Sequence, residues 1–212
     1  MRGRVTIVGA IVLAVGATGA TSAAAQQLLD RVAARVNGVP IMLSDVNAAI
    51  GVGMADVPAT GDPVAAATVQ MIDRQLMLGE VARFSPPEPA GPAIAAEVDR
   101  LKRAAGARLP QLMQSTGLTD ERLRELARET LQIQAYVSER FGTAMQVSDQ
   151  EVEQYYRSHA AEFTRNGILM SFEDAAPVAR TRASAERRTG AVAQWLRDLR
   201  ARADIVVPQR RS

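Results

Sequence analysis

The chain has 212 residues, 47% of them hydrophobic and 4% aromatic, with 25 basic and 23 acidic residues, one histidine and no cysteine. Without cysteine, a disulfide framework, a thiolate nucleophile and a cysteine-based zinc site are excluded together. With so few aromatics, the core has to be built from Leu, Val, Ile, Met and Ala.

Arg2 and Arg4 precede an uncharged apolar run over residues 5–20, and Ala23-Ala24-Ala25 stands before Gln26. A basic start, a short apolar run and a small-residue site are the three parts of a secretory signal. The run is short for a span of about 20 residues, and Gly9, Gly16 and Gly19 interrupt it. We therefore expect a signal peptide over residues 1–25, cleavage between Ala25 and Gln26, and a periplasmic protein. The alternative is an uncleaved signal that anchors the chain in the inner membrane. Cleavage removes two basic residues and no acid, leaving 23 of each. That balance gives no reason to expect a nucleic-acid partner.

Residues 32–36 and 39–42 are β-prone runs around Asn37-Gly38, the signature of a tight hairpin. Pro40 confines the second strand to an edge. Ser44 is expected to cap a helix starting at Asp45 and ending near Gly51 and Gly53. Asp62-Pro63 signals the next helix start, after which Val69, Ile72, Leu76, Met77 and Val81 recur at helical spacing. The prolines in residues 85–92 stop that helix and form a stiff linker.

A helix is expected over 93–105, with Ile94, Val98 and Leu101 on one stripe, and a short one over 109–115, closed by Gly117. Thr119 caps a helix whose core stripe is Leu123, Leu126, Thr130, Ile133, Val137 and Phe141. Ser148 and Glu151 form a capping box for a helix running to about Ala161. Asn166-Gly167 marks a turn, and Ser171 opens a helix over 172–203 with Val192, Trp195, Leu196 and Leu199 as its apolar stripe. Residues 204–208 close the chain as a β-prone run. The expected fold is mainly α, with short β segments near the two ends.

The run Asp30-Arg31-Val32-Ala33-Ala34-Arg35-Val36-Asn37-Gly38-Val39-Pro40-Ile41, followed by Ser44-Asp45-Val46, resembles the N-terminal signature of SurA-like periplasmic chaperones. The segment from Gln70 to Leu78 is similar to the next helix of that family. Val147 to Val152, with Tyr155, Tyr156, His159 and Phe163, resembles the helix before its parvulin isomerase domain. Ser171 through Trp195-Leu196 to Val207 resembles the segment after it. The resemblance implies one helical chaperone domain over residues 26–212, with an N-terminal part 26–163 and a C-terminal helix and strand 171–208. It also implies that the terminal β segments pair with each other. Between the flanking landmarks stand only the seven residues Thr164 to Met170, where a domain needs on the order of 100. The parvulin insertion is absent, and with it the expectation of prolyl isomerase activity.

No residue set points to an enzyme or to a bound cofactor. His159 stands alone near a helix C-terminus, where the dipole favours it. Ser44, Ser148 and Ser171 read as caps rather than nucleophiles, and Gly51-Val52-Gly53 lacks the lysine of a phosphate loop. The expected function is ATP-independent holding of unfolded outer-membrane or secreted polypeptides. The alternative is a dedicated envelope adaptor that binds one partner. Leu109, Leu112, Met113 and Leu118, in a short element bounded by glycine and proline, are the candidate client-binding residues; the competing reading is that they pack the core. After cleavage no stable membrane insertion is expected, and exchange of the terminal strand offers a route to a homodimer.

Overall fold

The computed structural model describes residues 30–142 and 146–208. The expected signal over residues 1–25, with its cleavage site at Ala25 and Gln26, lies outside them. Strands β1 (Val32–Val36) and β2 (Val39–Met42) pair antiparallel. Asn37 and Gly38 join them with φ of 48° and 85°, the left-handed pair that a type I′ turn requires. Pro40 lies on β2, an edge of the β2-β1-β5 sheet, where its missing N–H leaves no ladder bond unmade. At the far end of the chain, β5 (Ile205–Val206) pairs antiparallel with β1, Arg35 opposite Val206 and Val36 opposite Ile205. The two ends of the fold are therefore hydrogen-bonded to each other.

Leu43 N donates to Arg31 O at 2.7 Å, so α1 (Leu43–Gly51) follows β2 without a gap. This displaces Ser44 from the cap position expected for it. Met42 occupies the cap, its N–H donating to Asp45 Oδ2 at 3.3 Å. Ser44, already inside the first turn, gives its hydroxyl to the Asp30 carboxylate. Asp62 Oδ1 accepts from Val64 N and Ala65 N at 3.0 Å and opens α2 (Pro63–Phe84). Ser85, with φ of 43°, ends that helix ahead of the prolines.

Helix α3 (Gly91–Ala105) carries Pro92 in its first turn, so the helix begins two residues before the expected 93. The short α4 (Leu109–Thr116) closes on Gly117 at φ 70°. Thr119 Oγ1 accepts from Arg122 N at 3.2 Å and starts α5 (Asp120–Gly142). The capping box at Ser148 opens α6 (Asp149–Ser158), three residues shorter than the sequence suggests because His159 caps it. Two-residue strands β3 (Thr164–Arg165) and β4 (Ile168–Leu169) close around Asn166-Gly167. Ser171 then caps the 31-residue α7 (Phe172–Arg202).

These elements bury three apolar clusters. The first joins Val36, Ile41 and Val46 to Ile72 and Leu76 of α2, Ile133 and Tyr136 of α5, and Trp195 and Leu199 of α7. The second holds Val52, Val98, Leu101, Leu118, Leu123 and Leu126. Leu101 and Leu123 are wholly buried there, and truncating either to alanine costs about 2–5 kcal/mol. The third packs Val147, Val152 and Phe163 on Ala175, Ala179 and Ala183. Those alanines recur every fourth residue, a small-residue stripe that lets α6 approach α7 closely. The two halves of α7 thus belong to different clusters.

Val69, expected on the core stripe of α2, is 48% exposed. At that level the helix faces a cleft beside β1 rather than packed side chains. Tyr136, absent from the expected stripe of α5, is buried against Trp195, with ring centroids 5.7 Å apart.

Candidate functional site

Between the α1–α2 loop and helices α2, α5 and α7 lies an open groove of about 350 Å³. Its apolar lining comes from Met54 of the loop, Met71 and Met77 of α2, Ile133 of α5 and Leu196 of α7. Three of the chain's eight methionines meet here. The loop is pinned at its base by Gln70, whose Oε1 accepts from Asp56 N at 2.9 Å while its Nε2 donates to Asp56 O at 2.5 Å.

The charged groups around the groove are each committed to another partner. Arg74 of α2 donates to Thr130 Oγ1 at 3.1 Å, to Leu126 O at 3.0 Å and to Glu129 Oε2 at 2.9 Å. Its side chain is only 12% exposed, and burial pulls its pKa below the usual guanidinium value, against the opposing attraction of Glu129. Asp73 is held by Arg200 and Arg100 by Glu97. What remains for a ligand is mainly thioether and aliphatic surface, with the exposed Gln134 amide beside it. Methionine adapts to differently shaped apolar partners because it is unbranched and polarizable. Among the described residues no group of three or more His, Cys, Asp or Glu side chains is placed to hold a metal ion.

The four residues singled out in the sequence sit elsewhere. Leu118 is 5% exposed and belongs to the second cluster, while Leu109, Leu112 and Met113 pack half-buried against it. Leu112 fits so closely that a Cβ on Gly51 would meet its Cδ2 at 2.5 Å. Leu118 is thus a core residue, whereas the other three keep part of their surface, and Leu112 lines a small open pocket with Gly51 and Arg108. The groove methionines carry only a faint sequence signal, because Met77 reads as an ordinary member of a helical stripe, Met71 lies off that stripe and Met54 lies between the expected helices.

His159 stands at the C-terminus of α6, its Nδ1 3.0 Å from Tyr155 O and its ring stacked on Tyr155 at 4.0 Å. Ser148 and Ser171 are both caps, accepting from Glu151 N at 3.3 Å and Asp174 N at 3.2 Å. Among the described residues no helix is long and apolar enough to cross a membrane. Comparison of this chain with models of known protein families and with curated proteins returns no match.

Proposed function

We propose that this chain is an ATP-independent periplasmic holdase for unfolded outer-membrane or secreted polypeptides, acting without prolyl isomerase activity, and that the methionine-lined groove is its client surface. The observation that carries the reading is the juxtaposition of Met54, Met71, Met77, Ile133 and Leu196 beneath a rim of charges already neutralised by internal partners. Such a surface attracts apolar segments of many sequences without demanding a matching charge. The resemblance of residues 30–41, 44–46, 70–78, 147–163 and 171–207 to SurA-like chaperones, and the signal pattern at residues 1–25, agree with it.

Light scattering of a urea-unfolded outer-membrane β-barrel protein, diluted with and without the chain, tests the reading. Suppression at near-stoichiometric ratios without nucleotide is expected. Met77→Glu should abolish the suppression in a chain that circular dichroism still shows folded at the assay temperature, although Met77 is half-buried on the first cluster and some stability is lost. No suppression by the parent chain would overturn the proposal.

One observation favours a second reading, that of a dedicated envelope adaptor. Ile168, Leu169 and Phe172 are 74%, 47% and 37% exposed beside the β3–β4 turn, where the parvulin domain of SurA-like chains would be inserted. Capture of a single folded envelope protein, lost on Ile168→Glu, would support that reading over the holdase.

A further inference from the structure

At 31 residues, α7 is about 45 Å long and is shared between two packed bodies. Its first half lays Ala175, Ala179 and Ala183 on Val147, Val152 and Phe163. Its second half, from Ala191 to Leu199, belongs to the first cluster with α2 and α5. Of residues 184–190 between them, about two turns, none is buried.

The polar ties divide at the same place. Arg187 donates to Gln146 O at 3.2 Å and to Glu151 Oε1 at 3.0 Å, both on the side of α6. Arg200 grips Asp73 of α2 at the far end of the helix. Among the described residues no hydrogen bond or ion pair joins residues 146–183 to residues 30–142. The break therefore falls between Arg187 and Ala191. Thr189 there donates only within the helix, to Ala185 O at 3.0 Å. Gly190 has nothing within 4 Å of the space a Cβ would fill. Glycine holds a helix about 1 kcal/mol less firmly than alanine, and sharp bends gather at such weak points. Beside the stretch opens a cavity of about 860 Å³, with Phe141 and Gly142 of α5 on one side and Arg180, Ser184 and Arg188 of α7 on the other.

We propose that α7 bends at Gly190, so that α6, the β3–β4 turn and the first half of α7 swing as one body and widen or narrow this cavity. Pro177 is the competing place for a bend. However, Ala175 and Ala179, on either side of it, are wholly buried in the third cluster and clamp that turn. The swing moves Ile168, Leu169 and Phe172, exposed on the small body, relative to the methionine groove, whose Leu196 lies beyond Gly190. The hinge does not depend on the holdase reading.

The chain has no cysteine, so pairs of introduced cysteines take spin labels at chosen sites alone. Pulsed dipolar spectroscopy on the full chain compares Glu139→Cys/Glu173→Cys, across the two bodies, with Asp99→Cys/Glu139→Cys, within the larger one. All three positions are exposed. The distance distribution across the bodies is expected to be about twofold broader than the one within. Gly190→Ala should narrow the first and leave the second unchanged, which a gain in stability alone would not do. Pro177→Ala should change neither. Equal widths in the parent chain, or a broad distribution that Gly190→Ala does not narrow, would overturn the proposal. Narrowing by Pro177→Ala as large as that by Gly190→Ala would also overturn it, since the bend would then lie elsewhere in α7. Loss of aggregation suppression with these widths as expected would remove the holdase and keep the hinge.

Discussion

Arg200, near the end of α7, grips the Asp73 carboxylate of α2 through two hydrogen bonds of 2.6 and 2.7 Å, across 127 residues of sequence. The pair closes the C-terminal helix onto the central one, beside the groove to which Asp73 and Leu196 both contribute. Its side chains are 40% and 19% exposed, so solvent weakens the attraction while the bidentate geometry strengthens it. Arg200→Ala should cost about 1 kcal/mol, read as a fall of about 2–4 °C in unfolding temperature. A double-mutant cycle with Asp73→Ala checks this, since additive losses would show that the two side chains are not coupled.

Asn37 combines two tasks that substitution can separate. It adopts the positive φ of the turn, and its Oδ1 accepts from Asp204 N at 2.9 Å while its own N–H donates to Asp204 O at 2.8 Å. Asn37→Ala loses the side-chain bond and strains the turn, at a cost of about 2 kcal/mol. Asn37→Gly keeps the turn and loses only the bond, at about 0.5–1 kcal/mol. Urea unfolding of the two variants distinguishes them; equal losses would mean that the turn conformation carries no cost.

Arg74 is the most deeply placed charge at the groove. Its removal leaves Glu129 and the Thr130 hydroxyl oxygen short of a donor, although the Leu126 carbonyl keeps the Thr130 hydroxyl at 2.7 Å and Arg122 stands 3.7 Å from Glu129. Arg74→Met should destabilise by about 2–4 kcal/mol despite the gain in apolar surface. Thermal unfolding measures this, and a neutral substitution would mean that Arg122 takes over the partners.

The start of α6 should respond to acid. Hydrogen bonds from the Ser148 N–H at 2.7 Å and its hydroxyl at 2.9 Å, aided by Arg187, hold the Glu151 carboxyl below the usual glutamate range. A depressed pKa in the folded chain contributes stability that is present above the unfolded value and is lost as pH falls through the folded one. Parent and Glu151→Gln should therefore differ in unfolding temperature at pH 7 and converge as pH drops below the ordinary glutamate range. A difference that persists in strong acid would remove the carboxylate from the explanation.

Gly190 lies on an exposed stretch of α7 with nothing within 4 Å of the space a Cβ would fill. In a helix interior, glycine is about 1 kcal/mol less favourable than alanine. Gly190→Ala should accordingly raise the unfolding temperature by about 2–4 °C. A fall would show that α7 needs glycine there for a reason other than packing.

The local grammar of this chain is legible in its amino-acid order. Asn37-Gly38, Asp62-Pro63, the prolines after Ser85, Gly117, Ser148-Glu151 and Ser171 set where strands and helices begin and end, because caps, turns and proline act through atoms only a few residues away. Ser44 fails as a cap for the same reason in reverse. A bond from Leu43 N to Arg31 O, across 12 positions, starts the helix earlier than any local signal could. Which apolar residues become a surface is not legible in the same way. Leu118 is buried in the second cluster with Leu109, Leu112 and Met113 half-buried on it, while Met54, Met71 and Met77 lie half-buried on the first and share a groove with Ile133 and Leu196 only when α5 and α7 are assembled on α2. Helical periodicity determines which side of a helix is apolar by itself. How much of that side is covered depends on neighbours distant in sequence, and so it is decided only by the tertiary packing of α7 and β5 against the rest of the chain.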